Sequence, residues 1–407
     1  MTSANESPAE AQRQPPPTPW GLVVLLGSLT AMGPLAIDMY LPSLPAIAAG
    51  LKADPSQAQA TVAAFLAGMA VGQPFYGPWS DRTGRRAPIV LGVAIFIVAS
   101  AACAMATSME MLLAARFAQA LGACSGGVVA RAVIRDRFDH TETARMLSLM
   151  MLIMGLAPIL APILGSVLLG FGGWQSNFWF MTAVGVALLA AAVFRMPESR
   201  SEATALQASR ENPLQSYAAL LKQPRLIGYA LAGALNGATL FTYISTSPGL
   251  IMGAYGHSPG VYPWIFGANA LGVIGAGQVN RVVLRYTTPD AVLRRASLVA
   301  VGFAVAMTLA ALSGVGGQWT VLPLLFLLLS SYGFMQGNTM AGALNVDPLR
   351  AGAISALMGT LSFATGAVAS GLAAALHDGS ARSMALVMLV ALLGSAASLR
   401  LLALRQP

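Results

Sequence analysis

Two residues of opposite charge, Asp38 and Arg116, lie deep inside apolar stretches of a chain that otherwise keeps its charges in short polar breaks. An arginine placed there costs about 2.5 kcal/mol or more to insert into a bilayer, so it calls for a partner or a task. Asp38 sits in Pro34-Leu35-Ala36-Ile37-Asp38-Met39-Tyr40-Leu41-Pro42, and Arg116 in Arg116-Phe117-Ala118-Gln119-Ala120-Leu121-Gly122. If each stretch is one continuous helix, Asp38 falls roughly 16 Å and Arg116 roughly 10 Å below the same surface, close enough for contact or a shared water. A carboxylate held this way in a partly wet cavity binds and releases a proton as water or solute changes its surroundings. A buried ion pair with a purely structural role is the other reading of these residues.

A second constellation, Gly77-Pro78-Trp79-Ser80-Asp81-Arg82-Thr83-Gly84-Arg85-Arg86, crowds four charges at a turn expected from its Gly and Pro. The lone Asp81 can face the positive end of a helix while the arginines pair with carboxylates, Asp136 being the expected partner. Arg131 lies near the same end and is expected to join it. Such a cluster can close one face in one state and release it in another. A basic turn that only sets orientation is the simpler reading. Farther on, Gly155-Leu156-Ala157-Pro158-Ile159-Leu160-Ala161-Pro162-Ile163-Leu164-Gly165 sets two prolines four apart between glycines. That pattern predicts a bent helix with a smooth face, either a packing kink or a seal at a joint.

The elements that must hold these groups follow from composition. With 56% apolar and 9% charged residues, the chain lacks the polar surface of two or three soluble domains. Apolar runs long enough to span a bilayer recur at about 20–48, 57–79, 88–107, 109–135, 143–169 and 173–194, then at about 225–250, 260–283, 291–313, 319–343, 350–376 and 380–404. An all-α membrane protein of twelve spans in two bundles of six is expected. Its parts are a disordered tail at 1–19, a first bundle at 20–194, a polar linker at 195–224 and a second bundle at 225–407. The linker carries Pro197, Glu198, Glu202, Arg210, Glu211 and Asn212. Two halves joined this way fit a duplicated fold with a site near the midplane. Gly68 with Gly72, and Gly122 with Gly126, are expected to let helices pack closely.

Charge placement sets the orientation. With the N-terminus inside, nineteen of the 23 Lys and Arg fall on the inner side. They run from Arg13 through Arg145 and the Arg281 to Arg295 segment, a loose counterpart of Ser80 to Arg86, to Arg405. Lys52 and Arg382 alone fall outside, so both termini are expected in the cytoplasm. The net charge of +8 forms no stripe suited to nucleic acid. Cys103 and Cys124, within spans, and the scattered His140, His257 and His377 have no metal-ligand spacing.

These motifs together resemble the major facilitator superfamily, and within it the drug:proton antiporters of the bicyclomycin and chloramphenicol resistance (Bcr/CflA) subfamily. The likeness covers essentially the whole chain after residue 19. Gly77, Asp81, Arg82, Gly84, Arg85 and Arg86 match the loop motif G-x-L-a-D-r-x-G-r-r, with Trp79 in the Leu position. Arg116 matches the fourth-helix arginine, followed by Ala130-Arg131-Ala132-Val133-Ile134-Arg135-Asp136. Ile37 to Pro42 matches the first-helix pattern of the subfamily. The antiporter motif G-P-x-x-G-G stands as Ala161-Pro162-Ile163-Leu164-Gly165-Ser166, with Ala and Ser in two Gly positions.

The resemblance implies the major facilitator fold and proton-driven export of a small, moderately hydrophobic antimicrobial by alternating access. Asp38 would then be the protonation and substrate residue and Arg116 its electrostatic modulator. Tyr40, Phe65, Gln119, Asn236, Phe241, Tyr243, Gln336, Asn338 and Phe363 would be cavity neighbours. It further implies a functional monomer in the bacterial inner membrane, with protons as coupling ion and no cofactor. The same scaffold would equally carry a small metabolite with proton coupling. A membrane-embedded enzyme or receptor is the reading from another class, and no nucleophile-base pair supports it.

Overall fold

The computed structural model describes residues 20–138, 140–202, 204–206 and 213–404. The expected tail at 1–19, with Arg13, and the expected positions of Arg210, Glu211, Asn212 and Arg405 lie outside the described residues. The described secondary structure is helical throughout, because each long apolar run must satisfy its own backbone when lipid surrounds it.

The first half holds α1 (Trp20–Asp38), a 3-10 turn (Leu41–Ser43), α2 (Leu44–Gly50), α3 (Pro55–Thr83), α4 (Arg86–Ala104), α5 (Met109–Arg137), α6 (His140–Gly172) and α7 (Gln175–Arg195). After a short linker helix, α8 (Pro213–Leu220), come α9 (Pro224–Pro248) with a π turn (Gly249–Ala254), α10 (Tyr262–Val283), α11 (Pro289–Ser313), α12 (Gln318–Val346), α13 (Ala351–Ala375) and α14 (Arg382–Ser398), which ends in a second π turn (Leu399–Ala403). Among the described residues, ten stretches are long and apolar enough to cross a membrane on length and composition alone. The protein is thus an all-α, multi-pass membrane protein. α3 and α10 fall outside those ten. Their interiors carry Gln59 and Gln73, and Asn269 and Asn280, and these side chains are buried against protein.

Two expectations about single elements change. The run 20–48 is not one helix: α1 stops at Asp38, and Pro42 and Pro45 sit in the opening residues of the 3-10 turn and of α2. Proline has no N–H to carry a helix on, so each restarts the chain in a new direction. The stretch from Gly77 to Arg86 is mostly not a loop. α3 runs through Pro74 and Pro78 as far as Thr83, and the turn is made by Gly84, at φ +102°, and Arg85. α6 is continuous through Pro158 and Pro162, as a helix bent at its prolines also is.

Within the first half α5 is central, packed by α1, α3 and α4, and within the second α9 is packed by α12, α13 and α14. The close approaches use the expected glycines. A Cβ on Gly68 would strike the Phe117 carbonyl, one on Gly72 would meet Cys124, and one on Gly126 would strike the Leu29 carbonyl. The halves meet where α3 lies on α13 and α6 on α10. Hydrogen bonds that join them lie at the end remote from Arg85: Gln59 Nε2 is 3.5 Å from His377 Nδ1, and Ser166 Oγ donates to the Pro259 carbonyl at 2.9 Å.

Candidate functional site

Arg116 is completely buried, and among the described residues no carboxylate forms an ion pair with it. Its guanidinium carbon lies 4.1 Å from the centre of the Tyr40 ring, 4.4 Å from that of Phe65 and 5.8 Å from that of Phe178. One Nη donates to Gln119 Oε1 at 2.5 Å, while Nε and the other Nη have no partner. Gln119 in turn donates to Ser100 Oγ at 2.8 Å, and Tyr40 shares a 3.0 Å hydrogen bond with Thr61. Aromatic faces attract a desolvated cation by about 2 kcal/mol or more. The α5 arginine is therefore held by a box of rings and a glutamine.

The expected contact between Asp38 and Arg116 is not formed. The cause is the end of α1: with the helix broken at Asp38, the chain turns through Met39 and presents the Tyr40 ring to Arg116 instead of the carboxylate. Asp38 is buried at 4% exposure, and its Oδ1 has no hydrogen-bond partner. The turn that follows it, Leu41–Ser43, packs on α9 of the second half, which carries Tyr243 and leads on to Tyr262 of α10. Those tyrosines belong to a connected group. Asn269 Nδ2 donates to the Tyr243 hydroxyl at 3.0 Å, Tyr262 and Ser247 share a 2.9 Å hydrogen bond, and Phe266 stacks on Tyr243 at 5.3 Å. Asp38 thus sits at the seam of the two halves. Gly165 of α6 backs the same turn, for a Cβ there would collide with the Met39 carbonyl. Gly155 faces Ile274 of α10 across the seam, which puts the Pro158–Pro162 segment at the joint between halves.

The remaining sequence-derived cavity residues divide by what they touch. Tyr40, Phe65 and Gln119 serve the arginine box. Phe241 and Phe363 pack on each other at 5.4 Å between α9 and α13. Asn338 is committed to Asn280 Oδ1 at 3.1 Å and to the Phe334 carbonyl at 2.8 Å, so it ties α12 to α10. Asn236 has both amide atoms buried without a partner, and so has Gln336 its Oε1 and Thr360 its hydroxyl. Reading the sequence missed Thr61, Phe178, Tyr262, Asn269 and Thr360. Polar residues inside apolar spans were the available signal for four of these, and nothing in the sequence singles out Phe178.

At the basic end Arg85 is the hub. Its Nε donates to Asp136 Oδ2 at 2.7 Å and its Nη1 to Ser80 Oγ at 2.8 Å and to Asp81. Glu198, from the linker, covers the start of α4: it accepts from the backbone N–H of Arg85 at 2.8 Å and of Arg86 at 3.2 Å, and from those of Ser199 and Arg200, both at 3.1 Å. Burial opposes its charge, but these four donors outweigh that and hold the carboxyl below its usual value. Gly84 is required here, since any Cβ would meet the Glu198 carboxylate as well as the strained φ. Arg86 donates to the Val193 carbonyl and Arg200 to that of Arg82. Among the described residues, the partners of Arg85 all belong to the first half and the linker, and the expected Asp136 is one of them. Arg131 is separate from the cluster, donating to the Gly127 carbonyl on its own helix at 2.8 Å. Gly77 contributes its carbonyl to Ser80.

A multi-pass bundle of helices, with polar groups buried near where α3 lies on α13 and α6 on α10, has the architecture of a transporter. The model of the Major Facilitator Superfamily matches residues 26–370, and the chain belongs to that superfamily. It is 34% identical to an uncharacterized MFS-type transporter, YdgK, of Bacillus subtilis, over 92% of this chain and 94% of the relative. It is 28% identical to a bicyclomycin resistance protein homolog of Haemophilus influenzae, over 90% and 92%. With the multidrug resistance protein MdtL of Escherichia coli it shares 37% identity over 60% of this chain and 61% of the relative. Among solved structures, the D-xylose-proton symporter superposes with a TM-score of 0.70 at 13% identity, over 92% of this chain and 95% of that one. The partially occluded inward open form of XylE from E. coli gives 0.71 at 12%, over 93% and 96%. The chain is thus a multi-pass bacterial membrane protein of the transporter class, related to multidrug and antibiotic-resistance members of its superfamily.

Proposed function

We propose that this protein is a proton-coupled secondary transporter working by alternating access, with Asp38 as the group that exchanges the proton. The observation that carries the reading is the Asp38 carboxylate: buried, one oxygen unpartnered, at the broken end of α1, where the turn that follows packs on α9 of the other half. A group at the seam meets water from one side or the other as the halves rock, so its protonation is tied to their motion. In this reading twelve spans form two bundles of six in the inner membrane with both termini cytoplasmic, and Asp38 loads from outside and releases inside. No cofactor is needed beyond the proton. Arg116, held by rings rather than by Asp38, sets the local potential from a fixed position.

The cargo is a small solute that carries hydrogen-bonding groups. The unpartnered amide of Asn236, with Gln336 Oε1 and Thr360, supports this, because buried polar atoms left without partners are costly until a ligand supplies them. A small metabolite fits that description. Export of an antimicrobial is the narrower reading, favoured by the Ile37 to Pro42 pattern and by the names of the relatives from H. influenzae and E. coli. Growth of an expressing strain against a panel of antimicrobials separates the two. The coupling is tested with Asp38→Asn in everted vesicles: cargo-driven proton release is expected to disappear, and its persistence at the wild-type level would refute the role of Asp38.

A further inference from the structure

A cavity of ≈ 370 Å³ opens between α11, α12 and the end of α10, away from the seam and from Asp38. Its walls are apolar, with Val292, Val299, Phe303 and Leu327, and its polar members include Thr287 and Arg295. The arrangement along α11 is ordered. Arg295, Val299 and Phe303 recur every fourth residue and so form one row on the helix, about 12 Å long, with the charge at the basic end and the apolar groups beyond it. Arg295 stands about 9 Å along α11 from Pro289, a depth from which its long stem brings the guanidinium to a headgroup region. It is exposed, and among the described residues it has neither a hydrogen bond nor an ion pair. Arg281 and Arg285 flank the cavity residue Val283 in the chain and add positive charge at the same end.

We propose that this cavity holds an acyl chain of an anionic phospholipid whose phosphate is taken by Arg295. Charge selects the occupant: an unpaired guanidinium at the mouth repels a cationic amphiphile and leaves a zwitterion only part of its attraction, whereas a phosphodiester with no counter-cation of its own receives two N–H donors. A second groove on the molecule shows the contrast. It has ≈ 570 Å³ between α4 and α5, lined by Ala94, Val98, Met111 and Ala118 without any charged group, and it can receive alkyl chains with no preference for the headgroup. The α11 cavity differs by the arginine at its mouth.

The test uses the full-length protein in detergent, titrated with phosphatidylglycerol or phosphatidylcholine and read by native mass spectrometry. Wild type is expected to hold one phosphatidylglycerol about tenfold more tightly than phosphatidylcholine. Arg295→Gln, which keeps the stem, should bring the two lipids level. Val299→Trp should expel the lipid with every charge intact. Arg382→Ala, which removes one positive charge at the opposite end, should change nothing, and millimolar inorganic phosphate should not displace the lipid. Circular dichroism melts confirm that the variants are folded. Equal affinity of wild type for the two lipids, wild-type lipid retention in both cavity variants, or displacement by phosphate alone would each overturn the proposal.

Discussion

The arginine box makes a quantitative prediction about which residue stabilises Arg116. Tyr40 gives Arg116 a ring face at 4.1 Å and separately gives Thr61 a hydroxyl at 3.0 Å, and two substitutions divide these contributions. Tyr40→Phe removes only the hydrogen bond, expected to cost about 1 kcal/mol. Tyr40→Leu removes the ring as well, adding about 2 kcal/mol for the desolvated cation–π contact, so about 3 kcal/mol is expected in all. If the added loss runs through the cation, it should vanish once the cation is gone. In an Arg116→Met background, Tyr40→Leu should therefore cost about 2 kcal/mol less than in the wild-type background. Asp38→Asn, by contrast, should show a coupling to Arg116→Met within about 0.5 kcal/mol of zero, because the two side chains make no ion pair. Reversible unfolding in mixed micelles measures both cycles. A coupling above about 1 kcal/mol for Asp38 with Arg116, or none for Tyr40, would refute the box and restore the ion pair read from the sequence.

Two further substitutions test the supports of the site. Glu198→Ala strips the acceptor from four backbone N–H groups and should cost about 0.5–2 kcal/mol, seen as faster hydrogen exchange at Arg85, Arg86, Ser199 and Arg200. Because the folded Glu198 carboxyl is held below its usual value, this stabilisation is present above the ordinary carboxylate range and is lost as pH falls through the lower folded value, so the same amides should loosen as pH falls below that range. Unchanged exchange in the variant would show that the linker does not dock through this carboxylate. Gly165→Val should force α6 away from the Met39 carbonyl and cost about 1–3 kcal/mol, with a loss of transport greater than that of Gly155→Val, where the nearest neighbour is the flexible end of Ile274. Equal effects of the two in a melt and a flux assay would exclude a special role for the Met39 turn.

Much of this protein is determined by local chemistry that a sequence displays. Runs of apolar residues must become helices in lipid, because the backbone has no other way to bond itself, and the excess of arginine in alternate breaks orders those helices. The Arg85–Asp136 pair was foreseeable for the same reason, since few carboxylates share that end. Long-range decisions were not legible. Whether Asp38 or Tyr40 reaches Arg116 depends on Pro42 and Pro45 turning the chain just beyond Asp38, and on Gly165 of α6 admitting the turned backbone. Glu198 looked like one polar residue among several in a linker, and only the folded chain brings its carboxylate to the start of α4. Hydropathy reports how deep a residue can lie. Which neighbour it meets there is decided by packing between segments distant in sequence, where a proline or a missing Cβ redirects a side chain by several ångströms.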